Sequence, residues 1–241
     1  MTFYLIGLGM NKKSISVSAL EILKSCDKIY FENYTVNFPY EKQELEKNYE
    51  IKIEELDRAK VEDESVLKEA KEKNVALLVY GDSLSATTHM QLILECKNRN
   101  IEYKIFHNAS IITTIAETGL SLYKFGKTAS MPNWKEHTNK PTSFMNYVKE
   151  NSSIKAHTLI LTDIGLNIKD AIIQLLESGK EAKINLPGKI IAISCAGTSS
   201  QKIFYDTLGR IANLKLEMPF CLIIPTELHF LESEAIEALK E

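Results

Sequence analysis

The chain has no excess of either charge. Its 29 Lys and Arg against 32 Asp and Glu leave a net charge of −3. That is too little to draw in a polyanion, so nucleic acid is not an expected partner. No apolar run approaches the ~20 residues a bilayer-crossing helix needs, so no membrane span is expected. The amino terminus, Met1-Thr-Phe-Tyr-Leu-Ile-Gly, lacks a basic leader and reads as a strand rather than a signal peptide. Cysteine is sparse: Cys26, Cys96, Cys195 and Cys221 form no Cys-x-x-Cys pair and have no set of histidines beside them. They read as reduced, buried thiols of a cytosolic protein, and no metal site is expected. Repeats at a solenoid period and low-complexity tracts are also missing. So is a dinucleotide fingerprint. Gly7-Leu-Gly9 follows an apolar run, but Lys12 stands where the third glycine of Gly-x-Gly-x-x-Gly belongs. No ribose-binding carboxylate is evident after it, which counts against a dinucleotide oxidoreductase.

What is present is an ordinary globular composition, 44% apolar and 25% charged over 241 residues. That length suits one large domain or two of roughly 100–150 residues. The stretch that organises the reading is Val75-Ala-Leu-Leu-Val-Tyr-Gly-Asp-Ser-Leu-Ser-Ala-Thr-Thr-His89. Val75 to Tyr80 is an unbroken apolar run, as in a strand buried on both faces of a parallel sheet. It stops at Gly81-Asp82, and Met90, Ile93 and Leu94 then keep helical spacing. A carboxylate is thereby placed at a strand's carboxyl end, where open α/β sheets bind ligands. Ser85, Thr87 and Thr88 either cap the helix or touch a ligand.

Strands are further predicted at Phe3–Ile6, Lys28–Tyr34 and Ile101–Phe106. Ser14 or Ser16 is expected to cap a helix through Ile15, Ala19, Ile22, Leu23 and Cys26. Residues 35–73 read as a solvated face with weak strands and a helix around Glu64–Lys73. Ser110, after His107-Asn-Ala, is a ligand contact or an N-cap, and a short helix runs to Gly119. Residues 120–141 read as a connecting segment, after which βα alternation restarts. Thr142 would cap a helix carrying Phe144, Tyr147 and Val148. A strand at His157–Ile164 precedes a helix with Ile168, Ala171, Ile172, Leu175 and Leu176 inward, ending at Gly179. Strands at Lys189–Gly197 and Phe220–Pro225 follow, with Phe204, Leu208 and Ile211 lining a helix between them. The prediction is therefore an α/β protein of two consecutive domains, 1–112 and 113–241, with a small-molecule site where strand-end loops meet.

Tyr4-Leu-Ile-Gly-Leu-Gly9, Ile15-Ser-Val17, Gly81-Asp82-x-Leu84-x-Ala86-Thr-Thr-His89, Asn108-Ala-Ser-Ile111, Tyr123-Lys-Phe-Gly-Lys127 and His157-Thr-Leu-x-Leu-x-Asp-Ile164 stand in this order, with Ala196-Gly197 and Leu228-His229 after them. In this combination the chain resembles the diphthine synthase family over nearly its whole length. The resemblance implies the tetrapyrrole-methylase fold, two α/β domains with S-adenosylmethionine in the cleft, and a homodimer in the cytoplasm. It implies methyl transfer to the amino group of the modified histidine of translation elongation factor 2. Its length is like that of the compact archaeal enzymes, which trimethylate; the eukaryotic ones add a methyl ester. Carried over position by position, the cofactor site comprises Met10, Asp82, Ser85, Ser110 and Ile111. From the second half it takes Leu161, residues 203–208 including Asp206, and His229, most of them as main-chain contacts. The chain departs from the family pattern at Ser83, commonly proline, at Cys195, often arginine, and at Asp206, where related methylases tend to have glycine.

Methyl transfer from a sulfonium needs in-line approach and positioning. An acceptor amine must first lose its proton, and histidine has a suitable pKa. His89 and His229 are the motif histidines, each read first as a helix-start residue bonded to backbone and only second as a base, so no catalytic residue is assigned. Tyr123 and Lys127 belong either to an acceptor surface or to the framework. The competing functions are a precorrin-type tetrapyrrole methyltransferase, disfavoured by Thr87-Thr88-His89 and by Tyr123–Lys127, and a non-catalytic S-adenosylmethionine-binding module.

Overall fold

The computed structural model describes residues 1–62 and 65–239. Two compact units are present, Met1–Ile112 and Thr113–Glu241.

In the first unit, β1 (Thr2–Gly7), β2 (Lys28–Glu32), β3 (Glu54–Leu56), β4 (Val75–Val79) and β5 (Glu102–Phe106) build one sheet in the order β3-β2-β4-β1-β5. All four pairings are parallel. The unbroken apolar runs have a direct cause, since side chains alternate and both faces are covered. Phe3, Leu5, Val75, Leu77 and Val79 enter one core cluster, with Leu92, Ile93 and Cys96. Tyr4, Ile6, Ala76 and Leu78 enter the other, with Ala19, Leu23 and Phe31. Each such leucine or isoleucine stabilises the fold by about 1.5–3 kcal/mol. The chain leaves β1 toward β2 on one side and leaves β4 toward β5 on the other. The sheet order therefore reverses between the neighbouring strands β1 and β4, which is where doubly wound sheets bind ligands.

Ser16 caps helix Val17–Leu23, its Oγ accepting from Ala19 N at 3.3 Å. Helix Met90–Asn98 buries Leu92, Ile93 and Cys96, whereas Met90 and Leu94 are about half exposed. The expected spacing admits two faces, and only the one continued by Cys96 rather than Lys97 stays apolar. The span 35–73 is more than a solvated face. Helix Lys42–Tyr49, β3 and the short helices Arg58–Glu62 and Ser65–Glu69 send Leu45, Leu56, Val61, Val66 and Leu67 into the core, as does Ile53 just before β3. Glu64, the expected first residue of the last helix, lies outside the described residues.

The second unit departs from simple βα alternation. β6 (Ala129–Met131), β7 (Thr158–Thr162), β8 (Ile190–Ser194), β9 (Lys202–Asp206) and β10 (Phe220–Ile224) are ordered β6-β7-β10-β8-β9. Only β6–β7 is parallel; β7–β10, β10–β8 and β8–β9 are antiparallel. The turn joining β8 to β9 is too short for the crossover a parallel pair requires. Phe204 accordingly lies in β9, not in a helix, and the expected helix shrinks to Leu208–Ile211, capped by Thr207. β6 lies inside the stretch read as a connection. Ser143, rather than Thr142, holds the N-cap position of helix Phe144–Ser153, with no side-chain cap bond. Helix Ile168–Glu181 runs past Gly179 and buries Ile168, Ala171, Ile172 and Leu175 as expected, against Ile160, Ile190, Ala192 and Leu222 of the sheet, whereas Leu176, also expected inward, lies off that face and is about half exposed. Among the described residues no helix is long and apolar enough to cross a membrane.

Candidate functional site

In the first unit, three loops leave the carboxyl ends of β1, β4 and β5, and backbone contacts knit them together. Gly9 and Gly81 exchange N–H···O=C bonds of 3.0 Å in both directions, and Leu8 N donates to Val79 O at 2.8 Å. Both glycines have left-handed φ, +73° and +70°, a conformation costly for residues with a Cβ. Gly9 is also short of room, since a Cβ there would meet Ser14 Cβ at 2.6 Å and Asn108 Oδ1 at 2.9 Å. Ala86, in the same loop as Asp82, has φ +58°. Such strain in a non-glycine loop residue is held only by its surroundings and is concentrated at functional sites.

Two side chains lock this arrangement. Asn108 Nδ2 donates to Gly7 O at 3.0 Å and to Ser14 O at 2.9 Å. Asp82 accepts from Leu84 N (3.0 Å) and Ser85 Oγ (3.1 Å) on Oδ1. On Oδ2 it accepts from Asn108 N (3.0 Å) and His107 Nδ1 (2.9 Å). Burial alone would raise the Asp82 carboxyl, but the bonds from Leu84, Asn108, His107 and Ser85 outweigh it and hold it below the usual carboxylate range. Four donors fill the ordinary acceptor capacity of a carboxylate. Asp82 therefore ties the β4 loop to the β5 loop.

Of the residues the resemblance assigns, Met10, Asp82, Ser85, Ser110 and Ile111 all lie on these loops. Met10 is buried and its carbonyl accepts from Tyr80 Oη at 3.2 Å. Ser110 is buried just before the short helix Ile111–Thr114, and its Cα would lie 3.6 Å from a Cβ on Gly81. Below the loop is a buried polar layer that the sequence reading missed in part. Glu32, at the carboxyl end of β2, is 0% exposed and His89 is 2% exposed. Their Oε2 and Nε2 are 3.9 Å apart. Glu32 Oε1 accepts from Thr35 Oγ1 at 2.5 Å. A buried acid at the end of a strand is the signal that could have found Glu32.

The second unit has its own buried network. Glu232, 1% exposed, accepts from Ser121 N (3.0 Å), His229 N (2.8 Å), His157 Nε2 (3.3 Å) and Lys124 Nζ. Thr226 N donates to His157 Nδ1 at 3.0 Å, so the ring proton sits on Nε2, facing Glu232. Burial would raise the Glu232 carboxyl, but Lys124, the two backbone N–H groups and His157 bring it down to about 2. His229 thus starts helix Phe230–Ala238 with its N–H held by Glu232 and its ring exposed.

Leu161 and Asp206 are not brought together. In the ladders Leu161 pairs with Cys221, next to the Phe220–Ser194–Lys202 row. Asp206 pairs with Ile190 at the opposite end of β8. Its carboxylate is engaged by Thr207 N at 2.7 Å and by Arg210 at 3.2 Å. The reason is that residues 202–206 form a strand, which carries Asp206 away from the Leu161 end. Tyr123 is 90% exposed; Lys127 pairs with Glu150 and lies 5.4 Å over the Tyr147 ring. Among the described residues no group of three His, Cys, Asp or Glu is placed to hold a metal ion.

Residues 2–212 match the model of the tetrapyrrole (corrin/porphyrin) methylases. The chain is 34% identical to the diphthine methyl ester synthase of Schizosaccharomyces pombe, over 98% of this chain and 93% of that one. It is 33% identical to the diphthine synthase of Methanococcus maripaludis, over 98% and 97%. A crystal structure of diphthine synthase superimposes with a TM-score of 0.90 at 31% identity, covering 99% of this chain and 96% of the other. The chain therefore belongs to the tetrapyrrole methylase family and, within it, to the diphthine synthases, a group of methyltransferases.

Proposed function

We propose that the chain uses S-adenosylmethionine to methylate the amino group of the 3-amino-3-carboxypropyl histidine of translation elongation factor 2. The observation that carries this reading is the welded set of β1, β4 and β5 loops at the point where the first sheet reverses its order. S-adenosylmethionine, when bound, supplies an electrophilic methyl on a sulfonium. The residues of this site fit such a molecule, because adenosine and an amino-acid tail can be read by main-chain N–H and C=O groups. The loops here are shaped by glycine and fixed from within by Asp82 and Asn108. In this reading Met10, Ser85, Ser110 and Ile111 bind through their backbones, and Asp82 orients the loop that carries Ser85. Leu161 and His229 are the proposed contacts from the second unit, and residues 1–112 and 113–241 act as domains. Asp206 serves its own helix.

The amine must shed a proton before each attack. His89 is enclosed, whereas the ring of His229 is at the surface, so only the latter can be met by a protein substrate as the structure stands. The proposal includes a homodimer working in the cytoplasm and three methyl groups per acceptor. A second reading adds a methyl ester on the neighbouring carboxylate; the names of the relatives from Schizosaccharomyces pombe and Bos taurus, 34% and 35% identical, favour it. The test is incubation with methyl-labelled S-adenosylmethionine and elongation factor carrying the precursor side chain, followed by fragmentation mass spectrometry. The expected result is up to three methyls on the amine, and a fourth on the carboxyl under the second reading. An unlabelled elongation factor, with label passing to a porphyrinoid supplied in parallel, would refute the proposal.

A further inference from the structure

The polar layer beneath the β4 loop has more hydrogen-bonding atoms than protein partners. Glu32 Oε2, both ring nitrogens of His89 and Ser83 Oγ are buried, and among the described residues none of them has a hydrogen-bond partner within ordinary geometry. Such atoms are costly in a protein interior. Glu32 Oε2 and His89 Nε2 face each other at 3.9 Å, Glu32 ending β2 while Ser83 and His89 bracket the loop after β4, the strand beside it. The Ser83 carbonyl, which accepts from Thr87 Oγ1 at 3.1 Å, also lies toward the His89 ring.

From this geometry we propose that Glu32 and His89 share one proton and that this proton positions the β4 loop. With the proton present, the pair is either neutral acid and neutral imidazole or carboxylate and imidazolium. In both forms the pair carries no net charge, so the loop closes onto the end of β2 without burying one. Once the proton leaves for solvent, a net negative charge is buried, with the Thr35 hydroxyl on one carboxylate oxygen and at most the single N–H of a neutral imidazole toward the other. The loop residues 83–88 then loosen to let water in. Burial, opposed by Thr35, pushes the Glu32 carboxyl up to about 7, and burial, opposed by Ser83, lowers His89. These directions keep one proton on the pair below neutrality. Other ionisable groups nearby have partners of their own. On β2, Tyr30 Oη donates to Glu69 at 2.6 Å. On the loop, Asp82 holds His107, and on the helix that His89 begins, Glu95 pairs with Arg99. His89 is thus a positioning residue rather than a base that meets substrate.

The inference rests on the proposed cofactor role of this loop only for its effect on binding, so its first readout uses no cofactor. Amide and His89 ring nitrogen shifts are followed by NMR in the wild-type protein from about pH 5 to about pH 9. Residues 83–88 and the ring are expected to titrate with one midpoint near neutrality. Glu32→Gln keeps an acceptor for the Thr35 hydroxyl but has no proton to lose, so its loop should show no such midpoint. In calorimetry, wild-type affinity for S-adenosylmethionine should fall about fivefold or more across that midpoint, and that of Glu32→Gln should stay flat. A packing role alone would change the affinity without changing its pH profile. A wild-type ring and loop that do not titrate together, or a Glu32→Gln loop that keeps the wild-type midpoint, overturns the proposal. Absence of cofactor binding with the NMR result intact would instead count against the proposed function alone.

Discussion

At the scale of single residues, room and conformation separate two glycines that look alike in the sequence. Gly81→Ala meets nothing nearer than 3.6 Å and is opposed only by its left-handed φ, a cost of about 1–2 kcal/mol. Gly9→Ala carries the same strain and a contact at 2.6 Å as well, so it should destabilise the first unit by about 2 kcal/mol more. Chemical denaturation of the two variants gives the order directly. Asp82→Ala removes the acceptor for four donors. Charged hydrogen bonds are worth roughly 1.5–3 kcal/mol each and do not add, so a loss of about 3 kcal/mol is expected, with weakened cofactor binding in the folded fraction. Ser85→Ala removes one of those donors and should change cofactor affinity by no more than about 0.5 kcal/mol in calorimetry. Asp82 was legible from sequence because a carboxylate directly followed a buried strand. Its partners His107 and Asn108 were not, since nothing local says that the β5 loop crosses to meet it.

At the scale of elements, the network around Glu232 joins residues far apart in the chain, namely Ser121, Lys124, His157 and the start of the last helix. The Glu232 carboxyl is lowered in the folded chain to about 2. A lowered acid contributes stability above its unfolded value near 4.3 and loses it as pH falls through the folded value. The contribution, on the order of 3 kcal/mol, should therefore disappear between about pH 5 and pH 2. Glu232→Gln should flatten acid unfolding in that window while lowering stability at neutral pH, and denaturant midpoints across pH would show both effects. Long apolar strands such as β4, β8 and β10 could be read directly, because burial on both faces leaves an uninterrupted pattern. β9 and β6 could not. Lys202-Ile-Phe-Tyr-Asp206 has helical spacing with Leu208 and Ile211 by coincidence, and only pairing with β8 decides it. The polarity of residues 35–73 likewise hid helix Lys42–Tyr49, whose single fully buried anchor is Leu45.

For the whole molecule, the first sheet's parallel order followed from its sequence pattern, whereas the antiparallel second sheet depends on turn lengths that hydrophobic periodicity does not encode. The loop positions of the residues proposed for the site in the first unit were legible because motif and strand end coincide. In the second unit the ladder moved Asp206 away from Leu161. Light scattering at micromolar concentration should give twice the chain mass of 27.3 kDa, and a monomer would count against the proposed dimer. The central claim, that the cofactor is held where β1, β4 and β5 end, is tested most directly by backbone amide shifts on adding S-adenosylmethionine. The largest changes are expected at Met10, Ser85, Ser110 and Ile111, with Leu161 responding in the second unit. Amides that stay still at all of these positions while others, such as those around Trp134 and Lys140, respond to saturating cofactor would contradict it.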